Sequence, residues 1–135
     1  MLIVGLIKIL FVAYITHLRP VFGIDIDSLI SNMTIGEKCG QMTQITFSVM
    51  QNNDESRDYL EEWQLVRAIS GYHVGSILNS PGDFAQPVDR WQRVLKKVQD
   101  VAKEHSRLKI PILYGIDSIH GANYIREAVL FPQPL

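Results

Sequence analysis

The sequence predicts an α/β fold built on a parallel sheet. Three observations predict it. Residues 74–78 and 110–116 are short apolar runs, and residues 40–47 alternate loosely, both patterns that strands show. Residues 57–70 and 88–108 carry apolar stripes at helical spacing between those runs. The resulting order, strand–helix–strand–helix–strand, is the rhythm of βαβ units. Two architectures share it: a doubly wound sheet and the opening of a (β/α)₈ barrel. A complete barrel takes about 250 residues. This chain has 135 and stops just after its third predicted strand.

Each element has a local reason. Residues 2–15 are almost wholly apolar, broken by Gly5 and Lys8. The run is shorter than the ~20 residues a membrane span needs. It fits the apolar core of a secretory signal peptide with Gly23 as a cleavage position, so residues 1–23 are read as a leader. The alternative is a membrane anchor formed by residues 2–18, or a buried helix. Residues 24–33 suit a short amphipathic helix with Ile26, Leu29, Ile30 and Met33 on one side. Residues 34–39 form a helical turn. Thr34 and Glu37 have the spacing of a capping box, and Gly36 weakens the turn.

Residues 40–47 follow as the first strand, with Met42 and Gln44 placed towards its end, and residues 51–56 are loop. Helix 57–70 turns Leu60, Trp63, Leu65, Val66 and Ile69 inward and stops at Gly71. Strand 74–78 is followed by a Pro- and Gly-containing loop, 79–87. Helix 88–108 carries the stripe Val88, Trp91, Val94, Leu95, Val98, Val101 and Ala102. Strand 110–116 has its proline at the start, where a missing N–H is tolerated. The apolar end, residues 130–135, has no polar closing segment and points to a truncated domain.

Composition removes several classes of function. Hydrophobic residues make up 47%, charged residues 20%, and the formal net charge is −1. No basic patch offers itself to nucleic acid. Cys39 is the single cysteine, which excludes an intrachain disulfide and a zinc site built on paired cysteines. Gly115 and Gly121 lack the spacing of a phosphate or dinucleotide loop, so no cofactor is implied. His73 and His105 have no partner at metal-ligand spacing.

The residues able to do chemistry gather late in the chain. Asp117 directly follows strand 110–116, and parallel α/β folds bind ligands beyond the carboxyl ends of their strands. A carboxylate there can accept hydrogen bonds from two neighbouring hydroxyls, as a sugar requires. A helix cap or a loop salt bridge is the plainer alternative. His120 is either an acid–base or orienting partner for Asp117 or a loop hydrogen bond, the second being the more ordinary role. Trp63 and Trp91 sit on helical stripes and are read as core. Met42 and Gln44, at the expected end of the first strand, could border the same pocket as Asp117. A glycosidase needs two carboxylates. Asp83, in the loop after the second strand, has only the character of a turn residue. Asp117 is the one convincing candidate carboxylate, which is short of that pair.

Three stretches carry a family resemblance. Met33-Thr34-Ile35-Gly36-Glu37-Lys38-Cys39-Gly40-Gln41-Met42-Thr43-Gln44 is similar to the opening pattern MTLEEKIGQMTQ of glycoside hydrolase family 3. Residues 74–79 resemble its GSIL strand. Tyr114-Gly115-Ile116-Asp117-Ser118-Ile119-His120-Gly121-Ala122-Asn123, running on to Phe131-Pro132, resembles its YGIDAVHGxN…FP region. The resemblance covers about residues 24–135, and the last stretch is the specific one. Gly36, Cys39 and Arg126-Glu127 depart from the pattern.

The resemblance implies the first three β/α units of a TIM-like (β/α)₈ barrel, incomplete here. It implies a secreted, exo-acting, retaining β-glucosidase acting on β-linked glucosides or oligosaccharides, with a β-xylosidase as the nearest rival within the family. It implies that Asp117 binds sugar hydroxyls, while the nucleophile and the acid–base residue lie beyond Leu135. The piece alone would then be inactive. A non-catalytic sugar-binding or interaction module is the alternative. Secretion would make Asn32-Met33-Thr34 a usable glycosylation sequon, with the sugar on Asn32.

Overall fold

The computed structural model of the chain describes residues 23–54, 58–82 and 84–132. The expected leader, Gly23 apart, lies outside the described residues, as do Asp83 and the last three residues.

The chain divides into two units, residues 1–31 and 32–135. In the first, a short helix, α1, spans Ile26–Asn32 and ends one residue into the second unit. The amphipathic spacing does produce a helix here, but none of its residues is buried. Asp25 caps its start, accepting from the Ser28 N–H at 3.1 Å.

The second unit holds the sheet. Helix α2 runs Ile35–Gln41 and begins with a complete capping box. The Glu37 N–H donates to Thr34 Oγ1 at 3.2 Å, and the Thr34 N–H donates to Glu37 Oε2 at 2.8 Å. Strand β1 is Gln44–Thr46, followed by a 3₁₀ turn at Phe47–Met50. Helix α3 is Glu62–Val66, continued by a π-helical turn over Arg67–Gly71. Its last bond runs from the Tyr72 N–H to the Arg67 carbonyl, five residues back. Strand β2 is Ser76–Leu78, helix α4 is Val88–His105, and strand β3 is Leu113–Gly115. The sheet is parallel in the order β1-β2-β3, with Ile45, Ile77 and Tyr114 in register at its centre. The α/β class and the parallel βαβ order expected from the sequence are therefore observed.

Alternation along the strands sorts the two faces. Ile77 is fully buried, and with Val74 and Ile112 it packs against Leu65, Ala68 and Ile69 of α3 and Val94, Val98, Val101 and Ala102 of α4. Phe47, Met50 and Leu60 close one end of this core. The opposite face carries Gln44, Thr46, Ser76, Leu78, Leu113 and Gly115, and Gln44 Nε2 donates to Ser76 Oγ across it at 2.7 Å. Leu113 is 72% exposed on that face, so β3 is not the strand buried on both sides that its apolar run suggested. An apolar run alone does not say how many of its faces are covered.

Other expected boundaries also move. Helix α2 extends through Gly40 and Gln41, so β1 starts at Gln44 rather than residue 40. Helix α3 starts at Glu62, not 57, and Leu60 instead pairs in a β-bridge with Gln51. Helix α4 stops at His105, three residues short of 108. Trp63, read as core, is 59% exposed, whereas Trp91 is buried as expected.

One ion pair ties α2 to the turn after α4. Arg107 Nε donates to Glu37 Oε1 at 2.9 Å and Arg107 Nη2 to Glu37 Oε2 at 2.6 Å. The same Nη2 reaches the Asn32 carbonyl at 2.8 Å. The Arg107 hydrogen bond, aided by the Thr34 backbone N–H, lowers the Glu37 carboxyl from 4.5 to about 2. A carboxylate whose pKa falls on folding contributes stability above its unfolded pKa and loses it as pH drops through the folded one. We therefore expect Glu37→Gln to be less stable than the parent at neutral pH. The gap should narrow between about pH 4.5 and pH 2. Urea midpoints measured across that range check it; a gap independent of pH would contradict it.

Candidate sugar-binding site

The carboxyl ends of the strands are Thr46, Leu78 and Gly115, side by side on one edge of the sheet. Asp117 stands two residues past β3 and is exposed. Its carboxylate has no hydrogen-bond or ion-pair partner among the described residues. The plainer roles left open by the sequence, a helix cap or a loop salt bridge, are thus not what the side chain does here. The strand end beneath it is fixed: the Asn79 N–H donates to the Gly115 carbonyl at 3.0 Å, joining the exits of β2 and β3.

The loop after Asp117 is closed by His120. Its Nδ1 lies 3.1 Å from the Phe131 carbonyl, and the Phe131 N–H donates to the His120 carbonyl at 3.0 Å. A carbonyl only accepts, so Nδ1 carries the proton. His120 is thereby a loop clasp, the more ordinary of its two readings. Gly121 sits inside the clasp with φ of +82°, and a Cβ there would lie 2.8 Å from Phe131 Cδ2. The positive φ favours glycine, and a side chain would also have to push the Phe131 ring aside.

The loop is pinned to the connection between β2 and α4. The Gln86 N–H donates to the Tyr124 carbonyl at 2.8 Å, and the Arg126 N–H to the Gln86 carbonyl at 2.9 Å. Trp91 Nε1 also donates to the Tyr124 carbonyl, at 3.2 Å. The Trp91 ring packs edge-on against Tyr114 at 5.6 Å between centroids. Burial raises the Tyr114 hydroxyl's pKa above its ordinary range. Trp91 is thus core and loop anchor at once.

A cavity of about 310 Å³ opens between the exits of β1 and β2, lined by Thr46, Ser48, Gln51, Asn79, Ser80 and Tyr124 among others. Sequence reasoning passed over these residues. The signal existed: Asn79 follows the apolar run 74–78 just as Asp117 follows 110–116. Met42 and Gln44, expected near the site, are not. Met42 caps the C-terminus of α2, and Gln44 opens β1 at the amino end of the sheet, opposite Asp117. A larger, apolar groove of about 590 Å³ lies elsewhere, beside β1, with Cys39, Ile45, Val49, Trp63, Arg67 and Tyr72 on its walls.

Comparison with known proteins places the chain in a family. The profile of the Glycosyl hydrolase family 3 N terminal domain matches residues 34–135. The chain belongs to glycoside hydrolase family 3. A "Lysosomal beta glucosidase" of Dictyostelium discoideum is 38% identical over 114 residues, which are 79% of this chain and 14% of that protein. The chain therefore spans about a seventh of that relative's length. The matched region contains α2, the whole sheet and Asp117, so the resemblance drawn from the sequence is borne out.

Proposed function

We propose that this chain is the sugar-holding start of a β-glucosidase of family 3. In that reading Asp117 accepts hydrogen bonds from vicinal hydroxyls of a terminal β-linked glucose. The observation that carries the reading is the placement of Asp117: an exposed carboxylate without a protein partner among the described residues, just beyond β3. A charged acceptor of this kind makes strong, directional bonds to hydroxyl donors. The reaction would be exo-acting and retaining. Its nucleophile and acid–base residue would come from parts of the protein following Leu135, so this piece alone would not cleave a glycosidic bond.

The three strands are then the first of a TIM-like (β/α)₈ barrel. The uncovered sheet face carrying Leu113 becomes barrel interior. The groove with exposed Trp63 receives the unit that closes the barrel against β1's free edge, where apolar surface and unpaired backbone need cover together. Residues 1–23 act as a secretory leader, a route compatible with the lysosomal name of the relative. Among the described residues, no helix is long and apolar enough to cross a membrane. Asn32 carries the N-linked sugar of the sequon. Thr34 serves the capping box, and the Asn32 carbonyl accepts from Arg107.

The test uses the full chain. It should show no turnover of 4-nitrophenyl β-glucoside, yet bind cellobiose in calorimetry, and Asp117→Ala should lose that binding. Turnover by this chain would refute the division of labour. Binding of xylobiose in preference to cellobiose would shift the reading to a β-xylosidase. Cellobiose binding unchanged by Asp117→Ala would remove Asp117 from the site.

A further inference from the structure

We propose that the cavity between the exits of β1 and β2 is a second sugar-contacting surface. There the Asn79 and Gln51 amides and the Ser48 hydroxyl bind hydroxyls of a neutral saccharide. The proposal rests on the reading of Asp117 as a sugar-holding residue and extends the site along the sheet end to residues with no role so far.

Four observations converge on it. The first is position: Thr46, the last residue of β1, and Asn79, the first past β2, both line the cavity, at the carboxyl edge where parallel α/β sheets bind ligands. The second is charge. No lining side chain is ionisable near neutral pH, so an anionic or cationic ligand would meet no counter-charge, whereas amides and hydroxyls suit a neutral polyhydroxyl compound. The third is size. About 310 Å³ stands at the small end of the ~300–1,000 Å³ typical of ligand sites, room for a sugar unit rather than a polymer.

The fourth is Asn79 itself. Its backbone is held at φ of +67°, a left-handed conformation that asparagine tolerates better than most residues. Its Oδ1 is buried without a hydrogen-bond partner among the described residues. A buried acceptor left without a donor is unfavourable until a ligand supplies one. Backbone held in a sparsely populated region alongside an unused polar group is a pattern that collects at ligand clamps. The side chain as a whole is only half-buried, so rotation of the amide presents either end to the cavity. Gln51 is already steady: its Oε1 accepts from the Gly82 N–H at 3.3 Å, which leaves its NH₂ group to donate.

The test is a nuclear magnetic resonance titration of the full chain with glucose and with cellobiose. The side-chain amide signals of Asn79 and Gln51 should move along the same binding curve as the backbone signals of residues 116–118. Asn79→Gly removes the amide while keeping the backbone conformation available, and should weaken cellobiose binding about twofold to tenfold. Ser48→Ala should weaken it about twofold. Shifts confined to residues 116–118, with Asn79→Gly binding as the parent does, would overturn the cavity proposal while leaving Asp117's role standing. Shifts at Asn79 and Gln51 without any at 116–118 would support the cavity and remove Asp117 from the site. Silence at both places would overturn both.

Discussion

Replacing Gly75 by alanine should destabilise the sheet by about 3 kcal/mol or more, the upper part of what overpacking costs. The reason is backbone meeting backbone. A Cβ on Gly75 would lie 2.4 Å from the Gln41 carbonyl oxygen and 2.8 Å from its Cα. No side chain can swing aside to relieve that contact. Gly40 is the other half of the same close approach: its Cβ would meet the Tyr72 and His73 carbonyl oxygens at 2.4 and 2.5 Å. The Gly75 N–H donates to the Gly40 carbonyl at 2.9 Å through the gap between them. Forcing the segments apart would break this bond and move β2, the central strand, away from α2. Equilibrium urea unfolding measures the loss, with Gly36→Ala as the control. A Cβ at Gly36 meets nothing closer than Thr34 Oγ1 at 3.9 Å, in a helix where alanine is the better former. Gly75→Ala should lower the midpoint strongly; Gly36→Ala should leave it unchanged or raise it. Equal midpoints for Gly75→Ala and the parent would contradict the contact.

The Gly40–Gly75 contact also explains where sequence reasoning stopped. Glycine is a poor helix residue, so reading α2 to end before Gly40 followed propensity. Tertiary packing overrode it, because only a residue without Cβ lets the helix lie against the chain entering β2. That single shift delayed β1 to Gln44 and carried Met42 and Gln44 to the wrong end of the sheet. The capping box at Thr34 and Glu37, by contrast, was legible because both partners lie within one turn. The Arg107 bond to the same Glu37 was not legible, since it joins residues 70 apart in sequence. The exposed place of Asp117 just beyond β3 was legible, because it is the first polar residue after an apolar run. Asn79 obeyed the same rule but followed a shorter run, before a loop whose prolines suggested only a turn. Trp63 was misread because two residues make about 200° of helical turn, which sets it opposite Leu65, the residue that with Ile69 faces the core.

In a catalytically complete family 3 protein carrying residues 34–135 as its N-terminal segment, Asp117→Ala should lower kcat/KM by about 10²–10³. Loss of one preorganised hydrogen-bonding group that meets the substrate in the transition state has that scale. Asp117→Asn should fall between parent and alanine, because an amide keeps one acceptor oxygen in place but loses the charge that strengthens the bond. The structure separates this effect from a folding defect. Asp117 is exposed and bonded to no described residue, and substitutions at such positions change stability by about 0.5 kcal/mol or less. Thermal midpoints of all three proteins should therefore coincide while their rates diverge. Substrate choice sharpens the test further. Deleting the hydroxyl that Asp117 accepts from should cost the parent enzyme heavily and the alanine variant little, because the paired loss is already present. A deoxyglucoside series would find that hydroxyl. Equal penalties in parent and variant at every ring position would mean that Asp117 touches no sugar hydroxyl. The free carboxylate beyond β3 would then owe its place to something other than the substrate.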